Sequence, residues 1–170
     1  MTHAFATAAL TLAIAAALSI APGTASANYQ TSTGSACIAY GSTTTPGELR
    51  YLVNGITPLN ATDEYILCDF VTDSENGWYN AANSATLQMF FKAGNVEAAV
   101  TCTATAGSAY MSGVLTYSGA HTIPATLGGT LTLSGMTAPG SYSWVPFNVV
   151  CKLPAKATLA RMTLNELGPV

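Results

Sequence analysis

The stretch Ala85–Thr105 limits the possible folds of this chain more than any other part of it. Apolar and polar residues alternate on both sides of Gly94-Asn95, a dipeptide that suits a type II′ turn. Because side chains alternate between the two faces of a strand, folding the chain at this turn predicts a hairpin with one apolar face. The apolar pairs would be Ala93 with Val96, Phe91 with Ala98, Met89 with Val100 and Leu87 with Cys102. Such a hairpin needs a second layer on its apolar side, so it predicts a half-buried antiparallel sheet.

Further short segments with strand character follow along the chain, separated by clusters of Gly, Pro, Asn or Asp. No convincing internal helix interrupts them. About seven to nine short strands without helices predict an antiparallel β-sandwich of the jelly-roll or immunoglobulin-like kind. The predicted strands are residues 48–53, 65–71, 85–93, 96–105, 110–117, 130–134 and 142–153.

Two segments are less regular. Pro146 lies inside the run 142–153, and proline cannot donate to a strand ladder, so it requires an edge position or a bulge there. The tail Ala157–Leu167 fits either a strand or a short helical stripe, because its apolar residues match both periods. A strand is the preferred interpretation.

The N-terminus has the pattern of a secretory signal peptide. An apolar run from Ala4 to Ala21 is followed by Pro22-Gly23 and by the small-residue site Ala25-Ser26-Ala27. The prediction is a cleaved signal peptide over residues 1–27, an N-terminal arm over 28–47 and a β-sandwich over 48–170, with the arm and the sandwich forming one domain. A retained membrane anchor is the alternative, since the run is just long enough to span a bilayer. Cleavage predicts a secreted, periplasmic or extracellular protein with no membrane span.

Charge is scarce in this sequence. Only 8% of the residues are charged, the net charge is −3 and the pI is about 5.1. There is no basic patch to hold a nucleic acid, so that class of partner is excluded. The surface must be solvated chiefly by Thr, Ser, Asn and Gly, as suits an extracellular β protein.

All four cysteines follow the predicted cleavage site, which in an oxidising compartment indicates two disulfides with three possible pairings. Cys68, Cys102 and Cys151 each lie on the apolar face of their own candidate strand, so all three should point inward. The pairing Cys37–Cys68 with Cys102–Cys151 is predicted, since each bond closes a moderate loop and would tie one part of the sandwich to another. Buried free thiols are the alternative.

Several short motifs resemble a group of small exported bacterial proteins of unknown function. They are Gly55-Ile56-Thr57-Pro58-Leu59-Asn60, Ile66-Leu67-Cys68 and Val150-Cys151-Lys152-Leu153-Pro154, with Leu159 and Glu166. The chain departs from the group at Asp69, where proline is expected. The resemblance implies a secreted β-sandwich and supplies no catalytic residues.

Motifs for catalysis and cofactor binding are missing. His121 is the only histidine after the predicted cleavage site, so a metal site with several histidines is excluded. His121 itself is interpreted as a solvated loop residue. Asp69, Asp73 and Glu75 cluster near one strand end, where they would suit glycoside hydrolysis, a calcium ion or simply a solvated acidic turn. The solvated turn is preferred, and no catalytic residue, metal or cofactor is predicted.

The loop 73–80 is the best candidate for a ligand-binding surface. It places two aromatic rings among carboxylates and amides, which is what a sugar ring requires. The candidate residues are Asp73, Glu75, Asn76, Trp78 and Tyr79. The competing interpretation makes Trp78 a plug for the open end of the sandwich. Trp144 presents the same choice.

Two classes of function remain. The first is an exported, non-catalytic binding or surface-interaction domain whose ligand is a glycan or a protein. The second is a structural or self-assembling protein of the cell envelope, which a long unpaired edge strand would favour. A hydrolase is a distant third hypothesis, and the oligomeric state does not follow from the sequence.

Overall fold

A computed structural model describes residues 29–41, 48–59, 61–70, 72, 84–92, 94–107, 114–137 and 146–166. The predicted signal peptide therefore lies outside the described residues. Those residues form one 3₁₀ turn, Gly34–Ala36, and eleven strands. The strands are β1 Tyr29–Thr33, β2 Ile38–Ala39, β3 Leu49–Leu52, β4 Gly55–Pro58, β5 Glu64–Phe70, β6 Ala85–Lys92, β7 Ala98–Gly107, β8 Val114–Ile123, β9 Gly129–Met136, β10 Phe147–Leu153 and β11 Thr158–Glu166. This part of the chain holds no helix with the length and apolar character that crossing a membrane requires.

The strands form two antiparallel sheets. The first sheet has the order β3-β4-β11-β6-β9, with β1 also paired to β11, and the second has the order β2-β5-β10-β7-β8. From β4 onward the pairing is nested: β4 pairs with β11, β5 with β10, β6 with β9 and β7 with β8. Eight strands paired from the outside inward and divided between two sheets form a jelly roll. The predicted β-sandwich is thus confirmed, and the jelly-roll alternative is the correct one.

The core lies between the two sheets and follows from strict alternation. In β6, Ala85, Leu87, Met89 and Phe91 are buried, and in β7 the buried positions begin at Val100 and recur at every second residue. The apolar side chains of both sheets therefore meet in one layer, as expected for facing sheets. Burial of this layer is the main source of stability.

The predicted hairpin at Gly94-Asn95 is wrong. β6 pairs with β11 and β9 in the first sheet, whereas β7 pairs with β10 and β8 in the second. The turn therefore carries the chain from one sheet to the other. The apolar faces of β6 and β7 pack against each other across the core, and the two strands are not hydrogen-bonded neighbours. Alternation predicts which residues face inward. It has the same pattern in two strands that pair within one sheet and in two strands that pack face to face in different sheets, so it does not distinguish the two arrangements.

Both predicted disulfides are confirmed, Cys37–Cys68 and Cys102–Cys151. Their place in the fold differs from the expectation that they would tie separate parts of the sandwich together. Cys102 and Cys151 are direct partners on the adjacent strands β7 and β10, and Cys37 fixes the start of β2 to its neighbour β5. Both bonds thus join neighbouring strands within the second sheet.

Other boundaries also shift. β1 and β4 were not predicted, and the tail forms strand β11, as preferred. β10 begins only after Pro146, because it lies between β5 and β7 and must donate hydrogen bonds on both sides. β8 extends to Ile123, so His121 is a strand residue rather than a loop residue.

Candidate binding surface on the second sheet

The residues of the predicted binding loop lie outside the described part of the chain. The loop lies between β5 and β6 in the chain. β5 ends at Phe70 and β6 begins at Ala85, and both of these positions are at one end of the sandwich. The prediction for these residues therefore stays a prediction, as does that for Trp144. The residues concerned are Asp73, Glu75, Asn76, Trp78 and Tyr79.

The outer face of the second sheet carries a row of polar and aromatic side chains near the opposite end. The backbone N–H of Tyr40 donates to the carbonyl oxygen of Tyr65 at 2.9 Å. Tyr65 is the register partner of Lys152, which in turn is the partner of Thr101. Tyr40 and Tyr65 are 46% and 38% exposed, so both present ring surface to solvent. We call these four residues the tyrosine row.

A second row runs parallel to the first and is displaced by two residues on each strand, so it lies on the same face of the sheet. Ile38 and Leu67 are partners on β2 and β5, and Val150 and Thr103 continue the row across β10 and β7. The hydroxyl groups of Thr103 and Ser118 are hydrogen-bonded at 2.8 Å. The face is therefore apolar and aromatic on the β2 and β5 side and rich in hydroxyl groups on the β7 and β8 side.

A shallow groove of about 450 Å³ opens beside the tyrosine row. Lys152 and Asp63 form an ion pair inside it, with 2.8 Å between Nζ and Oδ2, and both side chains are 45% exposed. The hydrogen bond and the charge of the Asp63 carboxylate raise the pKa of Lys152 above its ordinary value. The groove is lined by Asp63, Val96, Glu97, Ala98, Ala99, Thr101, Lys152, Pro154 and Ala155.

Two tight turns form one wall of the groove. Asn95 and Lys156, with φ of 69° and 64°, are the described non-glycine residues in the left-handed region. Asn tolerates this conformation, whereas Lys156 is strained by it. Gly94 packs so closely on Lys156 that an added Cβ would overlap the Lys156 carbonyl oxygen. The two turns therefore fix each other, and strained residues of this kind concentrate at functional sites.

The charge of the groove is nearly balanced. Asp63, Glu97 and Lys152 are its ionisable residues, and two of them neutralise each other. Hydrogen-bonding groups with little net charge beside exposed tyrosine rings suit a neutral polar ligand. Within the described ranges, no three His, Cys, Asp or Glu residues are grouped so that they would hold a metal ion.

The outer face of the first sheet differs from that of the second in that its described aromatic ring is covered by another side chain. The guanidinium carbon of Arg161 lies 4.3 Å from the centroid of the Phe90 ring, so the exposed face of this aromatic residue is already covered by a cation–π contact. Phe90 therefore presents no open outer face to a ligand.

His121 lies on β8 of the second sheet and packs toward β9, where a Cβ on Gly129 would lie 2.7 Å from its Nε2.

Sequence reasoning missed the tyrosine row, although part of its signal was available. Ile66, Cys68 and Phe70 point inward, and this alternation alone places Tyr65 on the outer face. The position of Tyr40 beside it depends on the pairing of β2 with β5, which is fixed near the Cys37–Cys68 bond. Local patterns do not contain such a pairing.

Comparisons with known proteins give distant structural matches. Neither a family model nor a curated protein matches the chain. One similar solved structure comes from work on the promiscuous specificity of carbohydrate-binding modules of the β-sandwich superfamily, with 11% identity, a TM-score of 0.38 and coverage of 84% of this chain. The match spans about half, 54%, of that chain. Another is the family 11 carbohydrate-binding module of Clostridium thermocellum in complex with a β-1,3-1,4-mixed-linked tetrasaccharide, with 12% identity, a TM-score of 0.37 and coverage of 87% of this chain and 93% of that one.

Proposed function

We propose that this protein is an exported, non-catalytic binding domain that holds a neutral glycan against the outer face of its second sheet. The observation that carries the proposal is the pair Tyr40 and Tyr65, exposed side by side and next to the Lys152–Asp63 ion pair. An exported location is supported by the two disulfides, which form and persist in oxidising compartments.

The chemistry of the face fits a sugar chain. The apolar face of a sugar ring stacks on an aromatic ring, while its hydroxyl groups need donors and acceptors at the ring edge. The ammonium of Lys152 donates, and the carboxylate of Asp63 and the hydroxyl of Thr101 accept. The tyrosine row crosses four neighbouring strands, from the end of β2 to β7, and measures roughly 14 Å at the usual strand spacing, so it would accommodate a short oligosaccharide.

Binding is preferred to hydrolysis because one of the two groove carboxylates is already engaged. Asp63 is paired with Lys152, with 2.8 Å between Oδ2 and Nζ, and Glu97 is the other carboxylate of the groove. Glycoside hydrolysis uses a pair of carboxyl groups that both act on the substrate. The contact of Asp63 with Lys152 therefore favours a binding role for this groove.

The predicted loop with Trp78 and Tyr79 is a second candidate surface for the same function. Its bounding strands end at the opposite end of the sandwich from the groove, so the two surfaces make separate predictions. A glycan bound on the tyrosine row would not depend on Trp78, and the reverse also holds.

The test is a glycan-array screen of the oxidised protein, followed by calorimetric titration of the strongest ligand. Tyr65→Ala should weaken binding at least about fivefold, since loss of one stacking ring removes more than about 1 kcal/mol. Tyr51→Ala is the matched control, because Tyr51 is 48% exposed on the edge strand β3 of the other sheet. Unchanged affinity in Tyr65→Ala, together with lost affinity in Trp78→Ala, would transfer the site to the predicted loop. No binding to any glycan would overturn the proposed function.

A further inference from the structure

Strand β8 is the long edge strand of the second sheet among the described residues. All ten of its residues are in continuous register with β7, and no described strand pairs with its other side. Alternate residues of β8 therefore direct their N–H and C=O groups away from the sheet, which is a template for pairing with another strand.

The other edge strands are protected from such pairing. β1, β2 and β3 have five, two and four residues, and the last of these carries Arg50. β9 is eight residues long, but its register shifts opposite Ala85 and Leu87 and Gly135 adopts a positive φ of 68°. Short strands, charges and bulges are the usual protection of a sheet edge. β8 has none of them, since it contains no Asp, Glu, Lys, Arg or Pro and no register shift.

β9 packs against the inner face of β8 rather than beside it. A Cβ on Gly119 would lie 2.7 Å from Cδ2 of Leu133 and 3.2 Å from Cδ1 of Leu131, both of which are core side chains. The hydroxyl of Tyr117 likewise accepts from the backbone N–H of Thr137 at 2.8 Å, just after β9 ends. These contacts involve side chains on the inner face of β8. They do not involve the backbone groups along its outer edge.

We propose that β8 pairs antiparallel with β8 of a second copy of this chain, which joins the two second sheets into one ten-stranded sheet. A two-fold axis at Ser118 brings residues of the same face together, as continuous pleating requires. The resulting partners are Ser118 with Ser118, Thr116 with Ala120, Val114 with Thr122, Leu115 with His121 and Tyr117 with Gly119.

This register suits a second copy because no like charges meet in it. His121 lies opposite Leu115 rather than opposite its own copy. The exposed outer residues of β8, Thr116, Ser118, Ala120 and Thr122, are small or β-branched and neutral. In this register Val114 lies opposite Thr122, so β-branched side chains meet at both ends of the paired segment.

The test is sedimentation velocity of the oxidised protein over a wide concentration range. The wild type should show a reversible monomer–dimer equilibrium. Ser118→Lys would set two ammonium groups opposite each other on the two-fold axis and should weaken association at least about tenfold, as like charges do at an interface. Ser118→Glu should do the same, and an equimolar mixture of the two variants should restore the dimer. That rescue excludes misfolding as the cause of the loss.

Two controls accompany the charge variants. Ser118→Ala removes the hydrogen bond to Thr103 without adding charge and should leave the dimer intact. Thr132→Lys adds the same charge at an exposed position of β9 and should also leave it intact. A wild type that is monomeric up to its solubility limit would overturn the proposal, as would a mixture of the Lys and Glu variants that stays monomeric.

Discussion

Cys102 and Cys151 lie directly opposite each other on β7 and β10, and the disulfide between them joins strands that each have a neighbour on both sides. Both residues are fully buried, and the sulfur of Cys151 lies 3.8 Å from the sulfur of Met89 on the facing sheet. The bond therefore stands at the centre of the sandwich rather than at its rim.

Removal of this bond should be costly. It spans 49 residues of sequence, and the entropy of closing such a loop corresponds to about 4 kcal/mol. We expect Cys102→Ala combined with Cys151→Ala to lower the free energy of unfolding by about that amount, measured by urea denaturation. A cost below about 1 kcal/mol would show that the second sheet does not depend on this bond.

Two glycines should respond differently to the same substitution. A Cβ on Gly34 would overlap the carbonyl oxygen of Leu159, which β11 holds in place, whereas a Cβ on Gly119 would meet only side-chain methyl groups of Leu133 and Leu131. Gly34→Ala should therefore destabilise the protein by about 3 kcal/mol, and Gly119→Ala by no more than about 1 kcal/mol. Chemical denaturation of both variants tests the order, and equal costs would contradict the tight approach at Gly34.

The ion pair in the groove should give a pH-dependent contribution to stability. The pKa of Lys152 is raised in the folded protein above its ordinary value of 10.5, chiefly by the hydrogen bond to Asp63. The contribution is therefore fully present below the unfolded pKa and is lost as the pH rises through the folded pKa. Lys152→Gln should lower the urea midpoint slightly near neutral pH, and the difference from wild type should vanish at strongly alkaline pH. High salt should also reduce the difference in urea midpoint between wild type and Lys152→Gln, since both groups of the ion pair are partly exposed. A midpoint difference that grows as the pH rises would contradict this account.

Much of the fold was contained in the alternation of single strands. The inward positions of β6, of β10 and of Cys68, Cys102 and Cys151 followed directly, because burial of every second residue marks one face. The partner of each strand did not follow. Gly94-Asn95 is as good a turn between two sheets as within one, and β4 is only four residues long, too short to show a period.

The candidate site shows the same division. Tyr65 and Lys152 could each be assigned to an outer face from their own strands, but the tyrosine row joins residues separated by more than a hundred positions through three strand pairings. The groove depends on the contact between Gly94 and Lys156 and on the ion pair of Asp63 with Lys152. Each of these is a tertiary contact, and no local pattern of the sequence reports it.

The most direct test of the proposed binding face is a residue-by-residue map of the ligand in solution. The oxidised protein, labelled with ¹⁵N, would be titrated with the strongest ligand from the array while its backbone amide signals are followed by NMR. The largest shifts should fall on Tyr40, Tyr65, Thr101 and Lys152, with little change on Phe90 and Arg161 of the opposite face. Shifts confined to the loop 73–80 or to the first sheet would contradict the assignment of the binding face to the tyrosine row.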